Sequence, residues 1–117
     1  MKLQSYKDLK VWQRSLSLVR EVYIISKKLP DSEKYGLCSQ LQRASVSIPS
    51  NIAEGYARKG TAEYLRFLSM AYGSSAELET QLTIINQEYK HVVTNNAQML
   101  LSEVQRMLFS LMERLKS

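Results

Sequence analysis

The sequence predicts an all-α protein: an antiparallel up-down-up-down four-helix bundle, with residues 1–117 forming a single domain. Three observations predict it. Apolar residues recur at three- and four-residue spacing through four successive segments, the period of a helix with one buried face. Only 4 Gly and 2 Pro interrupt 117 residues, which favours long helices over many turns. Hydrophobic residues make up 44% of the chain, enough to build a core.

The first helix is expected from about Asp8 to Lys28, with Ser5-Tyr-Lys-Asp8 as a capping-box start. Leu9, Trp12, Leu16, Val19 and Tyr23 form one apolar stripe. Val11, Leu18, Val22, Ile25 and Leu29 form a second, about 120° further round at 100° per residue. A helix in a monomeric bundle needs one such stripe. The pair suggests that this helix also meets another subunit, with Val11, Leu18, Val22 and Ile25 as the interface residues. The plainer alternative is a deeply buried helix.

Leu29-Pro-Asp-Ser32 forms the first turn. Pro30 stops the helix and Asp31 or Ser32 can cap the next one. The second helix is expected from about Glu33 to Ala57, and Leu37, Leu41, Ala44, Ile48 and Ile52 line one face of it. Ala44, Ser45, Ser47 and Gly55 are small enough to let a neighbour approach closely. Pro49 has no N–H, and its ring crowds the carbonyl of Ser45. One long helix kinked at Pro49 is the preferred reading. The alternative is a new start at Ser50 or Asn51, where Asn51-Ile-Ala-Glu54 resembles a capping box, but that helix would last under two turns before Gly55.

Arg58-Lys-Gly60 makes a short basic turn, and Thr61 or Gly60 caps a third helix that runs to about Tyr89. Tyr64, Phe67, Ala71, Ser74, Leu78, Leu82, Ile85 and Tyr89 share its inward face. Gly73 costs helix stability, so close packing against the second helix is the expected reason for it. His91 to Asn96 is a polar turn. Thr94 or Asn95 then caps a fourth helix with Ala97, Leu101, Val104, Leu108, Leu111 and Leu115 in register. Short connections imply antiparallel neighbours.

Four segments also carry a family resemblance. They are Tyr6-Lys-Asp-Leu-Lys-Val-Trp12-Gln, Tyr35-Gly-Leu, Gln40-Leu-Gln-Arg43-Ala-Ser-Val-Ser-Ile-Pro-Ser-Asn-Ile-Ala-Glu54-Gly and Ala71-Tyr-Gly-Ser-Ser-Ala-Glu77-Leu-Glu79. Together they resemble the 23S rRNA intervening-sequence proteins over about residues 5 to 115. The resemblance implies a four-helix bundle that assembles into a cyclic homo-oligomer, with a pentamer as the family expectation. The family name records where the genes lie, not an activity. A related family of basic, pentameric bundles serves retroelement reverse transcriptases as an accessory, so handling of RNA or DNA is implied by analogy alone.

No catalytic constellation stands out, and the expectation is a protein that is not an enzyme. Di-iron bundles use two Glu-x-x-His pairs plus two further carboxylates. Glu88-Tyr-Lys-His91 supplies one such pair, but His91 is the only histidine and lies at a helix end. No metal or cofactor is expected. Cys38 is the single cysteine, which excludes an intrachain disulfide, and it reads as a packed thiol. The opening Met-Lys-Leu-Gln-Ser-Tyr-Lys-Asp lacks the apolar run of a signal peptide, and no stretch is apolar enough to span a bilayer. A cytoplasmic protein without membrane contact is the expectation.

Charge carries the functional reading. The chain has a net charge of +5 and a pI near 9.4. In the predicted topology one end collects Lys2, Lys7, Lys10, Arg58, Lys59, Arg66, Arg114 and Lys116 against Asp8, Glu54, Glu63 and Glu113, a net +4. The other end has Lys27, Lys28, Lys34 and Lys90 against Asp31, Glu33 and Glu88, a net +1. Lys7, Lys10, Arg14, Arg58 and Lys59 are the candidate phosphate contacts, against the bland reading of a solvated face. Tyr6, Trp12 and Tyr56 adjoin these cations and could stack bases, though most aromatic residues fit the apolar stripes better. Arg43, Glu54, Glu77 and Glu79 are candidates for structural ion pairs, with Arg43 expected to meet Glu77 or Glu79. Two functions compete: a nucleic-acid-binding accessory ring, and a scaffold that presents its ring to a protein partner.

Overall fold

The computed structural model describes residues 5–117. Four helices carry the fold: α1 (Lys10–Lys27), α2 (Leu37–Ala57), α3 (Thr61–Glu88) and α4 (Asn95–Lys116). Each packs on its neighbours in the order α1–α2–α3–α4–α1, and the backbones of helices diagonally opposite come no closer than 8 Å between Cα atoms, so only side chains meet across the core. Contacting residues pair in reverse order along adjacent helices. Ser47 meets Ser74 while Gly55 meets Phe67, and Ser75 meets Gln105 while Ser69 meets Met112. The result is a four-helix bundle 44 Å long and about 22 Å across.

Two helix starts differ from the expected ones. A 3-10 turn over Tyr6–Asp8 holds the predicted capping box: Ser5 Oγ accepts from the Lys7 amide and Asp8 Oδ2 from the Ser5 amide. Leu9 is extended, so α1 starts only after it. A second 3-10 turn over Asp31–Glu33 precedes α2, which starts at Leu37 rather than Glu33 because the Gly36 backbone departs from helical angles. Glu33 caps from outside instead. Its Oε1 accepts from the Leu37 amide at 3.2 Å and its Oε2 from the Tyr89 hydroxyl at 2.6 Å, which fastens this turn to the far end of α3.

A single helix runs through Pro49, as preferred. Asn51 does not start a helix. Its Nδ2 donates to the Ser47 carbonyl at 2.8 Å and to Ser47 Oγ at 2.9 Å, and Ser47 Oγ meets Ser74 Oγ at 2.8 Å across α2–α3. Small side chains bring these helices close, and at Gly55 there is no room for a side chain. A Cβ there would sit 2.7 Å from Phe67 Cβ. Gly73 does not serve close packing within the chain, because a Cβ there would meet nothing within 4 Å.

The core corrects the reading of α1. Val11, Leu18, Val22 and Ile25, expected to face another subunit, are at most 4% exposed and pack with Leu41, Ile48, Leu78, Leu82, Val104 and Leu108. They are the inner stripe, and no second copy can reach them. The other stripe faces outward: Leu16 is 42% and Tyr23 40% exposed, with Trp12 and Val19 half-buried. Four helices in a square need one stripe from each, and α1 points inward the stripe that lies between α2 and α4.

Candidate nucleic-acid interface

The start of α1, the turn between α2 and α3, and the end of α4 meet at one end of the bundle. Gly60 makes the α2–α3 turn possible. Its φ of +91° is open to glycine and strained for other residues, and it caps α3 in the angle that lets the chain reverse within three residues of α2. The turn leaves Arg58 and Lys59 exposed.

Arg58 is held. Its Nη2 lies 2.9 Å from Glu54 Oε2, one helical turn back, and its guanidinium sits over the Phe67 ring, 5.0 Å from the centroid. Arg66 lies over the same ring at 4.6 Å and grips Glu63 with two nitrogens, at 3.1 and 3.3 Å. The Arg66 hydrogen bonds hold the Glu63 carboxyl below the usual range. Tyr64 stacks edge-on with Tyr56, 5.9 Å apart. Burial is the main cause that pushes the Tyr64 phenol up to about 12; Tyr56 adds to the shift and the positive charge of Arg114 opposes it.

A second group lies between α1 and α4. Lys10, Arg106 and Arg114 line a groove with Leu9, Val11, Met107 and Leu111 in its wall. Arg14 Nε meets Glu103 Oε1 at 3.3 Å across the two helices. Gln13 Nε2 donates to the Lys7 carbonyl at 2.8 Å, and Tyr6 packs edge-on against Trp12 at 5.3 Å, which together fix the turn bearing Lys7.

Of the five candidate phosphate contacts, Lys7, Lys10 and Lys59 are exposed and make no ion pair among the described residues. Arg14 and Arg58 are each engaged by a carboxylate. The structure divides the five into two groups, Lys7, Lys10 and Arg14 on the α1 side and Arg58 with Lys59 at the α2–α3 turn. Lys2, counted at this end from the sequence, lies outside the described residues.

The expected ion pairs are corrected as well. Arg43 pairs with neither Glu77 nor Glu79, and neither Arg43 nor Glu77 forms an ion pair among the described residues. Glu79 accepts from Gln105 Nε2 at 3.2 Å, and Glu54 is taken by Arg58 on its own helix. Arg43 and Glu77 sit on outward faces, where water solvates each separately. Sequence reasoning missed Arg106 and the Arg14–Glu103 link. Glu54–Arg58 and Glu63–Arg66 had a local signal, because oppositely charged residues three or four apart on a helix meet.

His91 is exposed, and no group of three or more His, Cys, Asp or Glu side chains that could hold a metal ion occurs among the described residues. The Cys38 thiol donates to the Ser26 carbonyl at 3.4 Å, and burial, then Glu33, pushes its pKa up, which is unfavourable for a nucleophile. No helix among the described residues is long and apolar enough to cross a membrane.

What this end offers is charge and aromatic surface. No curated protein matches the chain. The sequence pattern of the family described as "23S rRNA-intervening sequence protein" matches residues 7–112, which include all four helix cores. With that match over most of its length and the four-helix fold beneath it, the chain belongs to the 23S rRNA-intervening sequence protein family.

Proposed function

We propose that the protein is a non-enzymatic, ring-forming accessory protein that binds RNA or DNA through the basic end of its bundle, in the cytoplasm. The observation that carries this is charge segregation. Among the described residues, the half that holds the α2–α3 turn has nine Lys and Arg (Lys7, Lys10, Arg14, Arg58, Lys59, Arg66, Arg106, Arg114, Lys116) against five acids (Asp8, Glu54, Glu63, Glu103, Glu113), a net +4. The other half has six of each and no net charge. All four ion pairs among the described residues lie in the charged half, and Lys7, Lys10, Lys59, Arg106 and Arg114 stand outside them. A polyanion that touches these five releases its counterions and displaces no carboxylate.

Two different apolar faces support assembly into a ring. One lies on the α1–α2 seam, where Tyr6, Trp12, Leu16, Val19, Val46, Pro49 and Ala53 line an open groove of about 270 Å³. The other lies on the α3–α4 seam. Helical spacing sets the exposed Tyr72 between Ser69 and Ser75, and the exposed Phe109 between Gln105 and Met112, residues that link these helices. A contact between two unlike faces is heterologous, and it closes into a ring when the rotation permits. A pentamer is the family expectation.

The test is binding of labelled single-stranded RNA and DNA across a salt series by wild type and by a Lys7→Glu/Lys10→Glu/Lys59→Glu variant. The expected result is affinity that falls steeply with salt, and a loss of at least about tenfold in a variant of unchanged helicity and mass. Absence of wild-type binding near physiological salt defeats the reading.

A further inference from the structure

The groove between α1 and α4 has a composition unlike the rest of the surface. Its basic stretch, about 530 Å³, has Leu9, Val11, Met107 and Leu111 as its apolar lining. Lys10, Arg106 and Arg114 rim it. None of the three is ion-paired among the described residues, whereas the groove's own carboxylates are engaged: Glu103 by Arg14 and Asp8 by the Ser5 amide. A second stretch of about 500 Å³ shares Glu103 and Arg106 with the first and continues past Leu100 and Met99, which is 70% exposed, to Asn96 and Glu21. The two stretches adjoin along α4 from Asn96 to Arg114, about 27 Å at 1.5 Å per residue, and meet at Glu103 and Arg106, where the Arg14–Glu103 ion pair links α1 to α4. Met107 and Leu111 lie at the basic end between Arg106 and Arg114, Ser102, Glu103 and Arg106 lie in the middle, and Met99 and Leu100 lie at the far end with Glu21.

We propose that this groove is the docking site for an acidic amphipathic helix of a partner protein. The length suits a helix laid between two others, and helices pack at 8–10 Å between axes. Unbranched methionines adapt to different apolar anchors. Charge complementarity selects the acid: three cations flank the apolar lining, so carboxylates beside the partner's leucine stripe would meet them. A nucleic acid fits this groove less well, because no aromatic ring lines it for base stacking. The inference does not rest on the nucleic-acid reading; Lys10, Arg106 and Arg114 are common to both surfaces, while Met99 belongs to this groove alone and neither arginine is substituted in the test above.

The probe is a labelled helix-forming peptide of about 18 residues, with Leu at i, i+4, i+7 and i+11 and Glu beside them toward one end. Fluorescence anisotropy with the full chain measures its binding. A peptide of scrambled order and one with Lys for Glu are the controls. The protein variants are Arg106→Glu/Arg114→Glu and, separately, Met99→Glu, all at exposed positions and checked for helicity and mass. Saturable binding with one peptide per chain is expected, at least about tenfold weaker for both controls and both variants. No saturable binding by wild type overturns the proposal, as does equal binding of the scrambled peptide or by the variants. Stoichiometric displacement of the peptide by single-stranded RNA would make the groove a nucleic-acid site. Loss of an oligomer in either variant would show a second copy of this chain as its occupant.

Discussion

Gly55 lies in the last turn of α2 and Gly73 midway along α3, and their surroundings differ. Gly55→Ala would drive a Cβ to 2.7 Å from Phe67 Cβ, and the neighbouring backbone on α3 limits the relief. The expected loss is about 1–3 kcal/mol in denaturant unfolding. Gly73→Ala meets open space, so in the isolated chain it should gain up to about 1 kcal/mol. From the sequence the two were indistinguishable, because what decides between them is a contact from another helix. Glu33 is the second residue whose role was hidden. The Tyr89 hydroxyl, then the Leu37 amide, hold its carboxyl below the ordinary 4.5, and the same hydrogen bond pushes the Tyr89 phenol up. A depressed carboxyl favours the folded state above its unfolded value, and that contribution is lost as pH falls through the folded value. The urea midpoint should therefore drop more steeply between about pH 5 and pH 3 in wild type than in Glu33→Gln. Equal slopes would leave the Tyr89–Glu33 bond without energetic weight.

At the scale of the element, the sequence made every helix legible to within a turn or so, because an apolar period of 3.6 persists through each. Which stripe of α1 faces inward was not legible. Both stripes have five apolar residues, and periodicity states an angle between faces without saying which one the other helices cover. Leu18→Ala is expected to cost about 2–5 kcal/mol, because the side chain is fully buried among α2, α3 and α4 contacts, and Leu18→Asp should unfold the subunit rather than dissociate it. Replacement of Leu16 and Tyr23 by Glu should leave the thermal unfolding of the subunit within about 1 kcal/mol of wild type and reduce the mass measured by light scattering to that of one chain. An unchanged oligomer would exclude the outward stripe of α1 as its contact. Ion pairs follow the same division. Pairs within a helix could be read from spacing; Arg14–Glu103 joins the first and last helices and depends on their being neighbours.

At the scale of the whole molecule, the closed order of the four helices sets both charge and shape. The start of α1, the α2–α3 turn and the end of α4 share one end because there are four helices and each reverses the last, so the basic residues of all three add rather than cancel. That Lys7, Lys10, Arg14, Arg58 and Lys59 gather toward one end was legible, while the partner that occupies Arg14 depended on a tertiary contact and that of Arg58 lies on its own helix. Removing Glu54 and Glu103 should therefore tighten binding of a polyanion at low salt, and Arg14→Gln or Arg58→Gln alone should weaken it less than Lys59→Gln does, a ranking that filter binding at one salt concentration can check. The single tryptophan adds an optical consequence. Trp12 lies half-buried on the α1–α2 groove, with the Tyr6 ring against its edge, and no other indole competes with its emission. Dilution that exposes this face to water would shift that emission to the red, so an unlabelled sample reports its own state of association, and the Tyr6→Phe variant separates the signal of the neighbouring phenol from that of the solvent.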